Sequence, residues 1–172
     1  MRLKVGCSFK YSAASAPDGV TCGSAASATD EASLRAGLDQ GAGTCVVVKS
    51  AITTSTPIVV KSGVTLVGAK GARAAITVAG SPGPAIELED NAKLGNIDLS
   101  VTNVSVGVAI RVPNARVFDV KVSGAKSAAL AVNCSDAAAC GAGTIALDNV
   151  SLEKSNYGLW ALGGHLVIKG GR

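Results

Sequence analysis

The sequence predicts an all-β fold, a right-handed parallel β-helix (a solenoid of short strands) with a short N-terminal capping α-helix. Three observations carry this expectation. From Cys45 onward, short β-branched and aliphatic runs alternate with Gly, Ser, Asn or Pro, and no second helical pattern interrupts them. Three later segments fall into register with one another. The single amphipathic helix pattern stands at the front of these runs, where the first coil of a stack needs cover.

Composition sets the kind of core. The 172 residues are 48% hydrophobic but only 3% aromatic, so the interior has to be built of thin aliphatic layers, and 21 glycines supply tight corners. Charged residues make up 16% and the net charge is +4 without a basic run, which argues against nucleic acid as a partner. Every apolar run is broken within a few residues, well short of the roughly 20 needed for a transmembrane helix.

Residues 1–28 read as a flexible leader, rich in Ser, Ala and Gly over 8–28 with a Pro17-Asp18-Gly19 turn signal. Met1–Gly6 has a positive start but no apolar run behind it, so it does not read as a secretion signal. The β-helix is expected over 29–172. Its cap helix is placed at about 30–40, with Thr29 as N-cap, Asp30 and Glu31 in the first turn, Leu34 and Leu38 on one stripe, and Gly41 beyond its end.

Strands are expected at Cys45–Val48, Ile58–Lys61, Val64–Val67, Ala75–Val78 and Ala85–Leu88. Parallel strands in an ordinary α/β sheet need helical crossovers, which are missing from this pattern. Residues 92–112, 115–132 and 144–162 then repeat an aliphatic residue, an Asn or Asp, and an alternating pair. Ile97 and Leu99, Val120 and Val122, and Val150 and Leu152 are the inward positions. Asp98, Lys121 and Ser151 point out, and Asn96, Asp119 and Asn149 stand at corners. The intervals of 23 residues from Ile97 to Val120 and 30 from Val120 to Val150 suit one coil each, the second carrying an insertion. A leucine-rich repeat has a similar period, but its regularly spaced leucines and repeated Asn are absent here, where Val and Ala dominate and the coil lengths vary. A β-sandwich is the competing all-β arrangement, since short strands do not reveal their partners.

Five cysteines, Cys7, Cys22, Cys45, Cys134 and Cys140, lack paired metal-site spacing, and the single His165 offers no second nitrogen ligand, so no metal or other cofactor is implied. Cys134 and Cys140 bracket a small-residue insertion that a disulfide can close. Cys22 and Cys45 flank the helix and can staple it to the first strand, leaving Cys7 as the odd thiol. Disulfides point to an oxidising, extracellular setting. Leu3–Cys7 distantly resembles a bacterial lipoprotein cleavage site, which would make Cys7 a lipid anchor, although Lys4 departs from that pattern.

Residues 29–172 resemble the pectin-lyase-like family of right-handed β-helices. The likeness rests on DEASLRAGLDQ, on TPIVVKSGVTLVGAKG followed by AAITVAG, and on the repeats holding LGNIDLSV, FDVKVSG and LDNVSLEK. It implies a fold but no single chemistry, because that fold hosts lyases, hydrolases, tailspikes and non-catalytic surface proteins. Arg111-Val112-Pro113-Asn114-Ala115-Arg116 is similar to the R-x-P-x-x-R pattern of pectate lyases, which implies Arg111 or Arg116 as the base acting beside a uronate carboxylate, with calcium held by clustered acids. Those acids are not visible here, so the bland expectation is a turn with solvated arginines. Gly163-Gly164-His165 is faintly similar to a polygalacturonase element, without the aspartates inverting hydrolysis requires.

Tyr157 and Trp160, three apart on one strand, are expected on opposite sides, with Trp160 in a core slot. An exposed aromatic, together with Lys154 and Asn156, would make a sugar-stacking platform. The closing segment from His165 to Arg172 reads as the first strand of a coil that does not close. The expectation is a longer β-helix or end-to-end pairing with another chain. The function expected is an exported, non-enzymatic surface protein making structural, adhesive or carbohydrate contacts with polysaccharide or cell-envelope components. A uronate-cleaving polysaccharide lyase is the alternative.

Overall fold

The computed structural model describes residues 20–81, 83–134 and 143–171. Residues 1–19, with Cys7, and Cys140 lie outside them.

Among the described residues all strand pairing is parallel, in three sheets. The first holds β1 (Ser24–Ala28), β2 (Thr44–Val48), β5 (Thr65–Gly68), β8 (Lys93–Gly95), β11 (Arg116–Phe118), β14 (Thr144–Asp148) and β17 (His165–Lys169). The second holds β3 (Ile52–Thr54), β6 (Ala74–Ala79), β9 (Ile97–Thr102), β12 (Lys121–Ser123) and β15 (Ser151–Glu153). The third holds β4 (Ile58–Val60), β7 (Ile86–Leu88), β10 (Val106–Ile110), β13 (Ala128–Asn133) and β16 (Tyr157–Leu162). From β2 on, each strand pairs with the strand three places along the chain. This order is consistent with a parallel β-helix in which each turn gives one strand to each sheet.

The pairing registers stack like upon like. Val46, Leu66, Leu94, Val117, Leu147 and Ile168 form one inward column of the first sheet. Ile52, Ile76, Leu99, Val122 and Leu152 form that of the second. Ile58, Ile86, Val108, Leu130 and Leu159 form that of the third. Parallel neighbours lie about 4.8 Å apart, so side chains of similar size in one column touch along its whole length. Most of these residues are fully buried in a single cluster. Asp98, Lys121 and Ser151 pair in one outward row, which sets Ile97, Val120 and Val150 in line just before it. Ser151 N donates to Val120 O at 2.8 Å.

The last three corners between the first and second sheets are only one or two residues long. Asn96, Asp119 and Asn149 occupy them with φ of 50°, 52° and 53°. Asn and Asp tolerate this left-handed conformation better than other non-glycine residues. Their side chains also bridge coils: Asn149 Nδ2 donates to Asp119 Oδ1 at 2.6 Å, and Asn96 Nδ2 donates to Ala69 O at 2.7 Å and Ala72 O at 3.0 Å.

The helix α1 (Glu31–Leu38) packs on β1 and β2, and Leu34 and Leu38 are buried beneath it. Its N-cap is Asp30 rather than the expected Thr29, and it is shorter than the expected 30–40. The Asp30 carboxylate accepts from Ser33 N at 2.8 Å while Asp30 N donates to Ser33 Oγ at 3.1 Å, a reciprocal capping box that Thr29 does not enter as cap. Glu31 joins the helix to the second sheet, accepting from Thr54 Oγ1 at 2.7 Å and from Arg35 Nη2 at 2.7 Å. The hydrogen bonds from Thr54 and Arg35 hold the Glu31 carboxyl below its ordinary pKa.

The expected flexible leader is corrected over its last part. Ser24–Ala28 pairs residue for residue with Thr44–Val48 as β1, a place that its Ser and Ala content does not announce. The pairing is locked from outside by the Cys22–Cys45 disulfide, with Cα atoms 5.3 Å apart. Val20, Cys45, Val47, Val67 and Phe118 bury one another on the outer face of the first sheet. Cys134 is also disulfide-bonded, while Cys140, its expected partner, lies outside the described residues. Among the described residues no helix is long and apolar enough to cross a membrane.

Candidate ligand-binding cleft on the third sheet

Strict alternation would put Tyr157 and Trp160 on opposite faces, but both are exposed, at 59% and 41%. The core slot expected for Trp160 is therefore corrected. Two consecutive positions turn inward in this sheet. A Cβ on Gly107 would run into Val122 and Ala129 O, so position 107 faces the core, and so does Val108 beside it. Ala129, at the matching place in β13, is also core, and a Cβ on Gly158 would point at Leu152. The direct pairings 106–128–157 and 108–130–159 skip this extra inward residue. The residues on either side, Val106 and Ala109, then Tyr157 and Trp160, are left on the outer face.

The outer row in register with Trp160 runs Glu87, Ala109, Ala131, Trp160. Two alanines between larger side chains make a floor. Ala109 and Ala131 are buried although they face outward, because the flanking side chains stand over them. The resulting cleft, ≈ 150 Å³, is lined by Pro84, Val106, Ala109, Arg111, Ala131, Asn133 and Trp160. Arg111 Nε lies 3.7 Å from Oε1 of Glu87, which stands at the rim, just outside the lining. Strand spacing sets the Glu87 and Trp160 strands about 14 Å apart, with the two alanines between them, room for one flat ring against the indole.

The two arginines of the R-x-P-x-x-R segment are not brought together. Arg111 follows β10 on the third sheet, whereas Arg116 opens β11 on the first. Arg116 Nη2 lies 3.3 Å from Asp148 Oδ2, and its guanidinium covers the Phe118 ring at 5.1 Å. That ring occupies the space a side chain at Gly95 would need. Arg116 thus braces the outer surface of the first sheet, and Pro113 and Asn114, φ 61°, form the corner between the arginines. Among the described residues no three His, Cys, Asp or Glu side chains are grouped to hold a metal ion.

Lys154 stands at the turn after β15 with φ 51°, exposed and outside the cleft lining. His165 opens β17, its Nδ1 3.2 Å from Thr144 Oγ1 on the first sheet. Of the residues expected to bind sugar, the cleft gathers Trp160, with Tyr157 on the same face, and adds Arg111, which was expected only as a catalytic base. Glu87, Asn133 and the alanine floor were missed. Their signal was the in-register Ala109, Ala131 and Trp160, which reads as a core column until the extra inward residue is recognised.

Among the described residues the lining holds no carboxylate, and Glu87 is the acid that meets Arg111 at its rim. Two facing carboxylates, which glycoside cleavage requires, are not part of the lining. The arrangement is suited to holding a ring by stacking and hydrogen bonding. Compared with family models, with curated proteins and with solved structures, the chain has no match.

Proposed function

We propose that this chain is a right-handed parallel β-helix of the pectin-lyase-like kind, an exported, non-enzymatic surface protein that contacts carbohydrate through the outer face of its third sheet. The right-handed sense follows from the strong general preference of parallel strand connections for that hand. Export is supported by the Cys22–Cys45 disulfide, a bond that persists in oxidising compartments. The observation that carries the binding role is the half-exposed Trp160 set across an alanine floor from Arg111.

The lyase alternative asks one arginine to abstract a proton beside a calcium-bound carboxylate. Arg111 and Arg116 each lie against a carboxylate of this chain on separate sheets, an arrangement that favours ion pairing over proton abstraction. Incubation with polygalacturonate and calcium, followed by the absorbance of unsaturated products, tests the choice. No product is expected; turnover abolished by Arg111→Ala would reverse the ranking. Binding is read separately from the emission of Trp160, the only tryptophan in the chain, during titration with oligosaccharides.

A further inference from the structure

We propose that the cleft selects a neutral hexopyranose chain over an acidic one, one ring stacking on Trp160 while its hydroxyls bond to the Arg111–Glu87 pair and Asn133. This rests on the carbohydrate-contact reading above and names the class of sugar.

The argument begins with charge. A lone arginine beside an aromatic ring would favour a carboxylated sugar, because a guanidinium and a carboxylate form a strong bidentate pair. Here the Arg111 guanidinium already has the Glu87 carboxylate 3.7 Å from its Nε. The two charges cancel locally. A uronate approaching Arg111 would also approach Glu87, and like charges at that separation repel. A neutral sugar meets no such conflict. Its vicinal hydroxyls are both donors and acceptors, and the pair offers guanidinium N–H donors next to a carboxylate acceptor.

The remaining parts fit the same ligand. The indole is 41% exposed, so the face of a pyranose ring, which carries C–H groups, can lie on it without displacing a packed neighbour. Ala109 and Ala131 keep the floor shallow, and Asn133, exposed on the row beside Ala131, contributes an amide with both donor and acceptor. Tyr157 stands three residues before Trp160 on the same face, roughly 10 Å along the strand. It gives a second ring for the next sugar units, which makes the site one for a chain rather than a monosaccharide.

The test is titration of Trp160 emission with cellohexaose, maltohexaose and β-1,4-galactohexaose against hexagalacturonate, with the melting temperature of every variant recorded. At least one neutral hexasaccharide is expected to bind about tenfold or more tighter than hexagalacturonate. Glu87→Gln is expected to weaken the neutral ligand and strengthen hexagalacturonate, each by about tenfold, because it removes an acceptor and the repelling charge together. Ala131→Leu, which fills the floor and spares the indole, is expected to abolish binding at an unchanged melting temperature. Equal or tighter binding of hexagalacturonate to the unaltered chain would overturn the neutral-sugar inference and leave the carbohydrate reading standing. If none of the four ligands alters Trp160 emission, the carbohydrate reading falls with it.

Discussion

The two ends of the aliphatic stack are built from the same residue types and fare differently. Near α1 the columns run through Val46, Ile52 and Ile58, and Leu34 of the helix is wholly buried over them. In the last described coil the same columns reach Leu152, Leu159 and Ile168. The two leucines are only partly buried and Ile168 is 57% exposed. Position in a column is therefore not what buries a side chain. A layer needs a neighbour on each side, and the helix supplies one where the β-strands of a preceding coil do not.

The largest effect that sharpens this contrast is expected from core truncation. Leu130→Ala removes a fully buried side chain with layers above and below, and should cost about 2–5 kcal/mol in urea denaturation. Leu159→Ala, the next member of that column, should cost on the order of 1 kcal/mol, because it is only partly buried against the core. Equal losses at the two sites would break the comparison. Next comes the Cys22–Cys45 bond, which closes a loop of sequence separation 23 at the helix-covered end. Replacing both cysteines by Ser should lower stability by about 3 kcal/mol, read as the difference in unfolding free energy between the unaltered chain and the double variant.

Acid should loosen the helix-covered end more gently. The Asp30 carboxyl is held below its ordinary pKa of 3.8 by its hydrogen bonds from Ser33, and Glu31 below 4.5 by those from Thr54 and Arg35. A depressed folded-state pKa contributes stability that is complete above the ordinary value and is lost as pH falls through the folded one. The protection factors of amides in α1, corrected for the intrinsic pH dependence of exchange, should therefore be constant above about pH 5 and fall below about pH 4, while those in β13 stay high. Smallest of all, Trp160→Ala should change stability by no more than about 0.5 kcal/mol, since the indole lies outside the core. A loss comparable with Leu130→Ala would mean that the indole packs as a structural residue and not as a ligand platform.

Much of this fold was legible in the residues. Ile97, Val120 and Val150 could be aligned because each follows an Asn or Asp at a corner where only a few residue types are comfortable, and those corners mark the register. Cys22 and Cys45 could be paired because the helix between them brings its two ends back to adjacent strands. β1 was not legible, since Ser24–Ala28 has little strand propensity and owes its conformation to β2 and the disulfide. Thr29 and Asp30 are both cap-forming residue types, and the reciprocal bonds with Ser33 decide for Asp30. Trp160 was misplaced because alternation was counted through Gly107, Ala129 and Gly158 as if each strand kept a period of two. The partnership of Arg111 with Glu87 was hidden for another reason: the residues are 24 apart, and only the pairing of β7 with β10 makes them neighbours.

The row Glu87, Ala109, Ala131, Trp160 has a consequence for how such a protein can change over time. Each of these side chains belongs to a different coil and none contributes to the interior, so substitutions there can be tried one at a time with the scaffold intact. New recognition could be written along that line of four positions by exchanging bulk, charge and aromaticity, much as type is reset within a fixed frame.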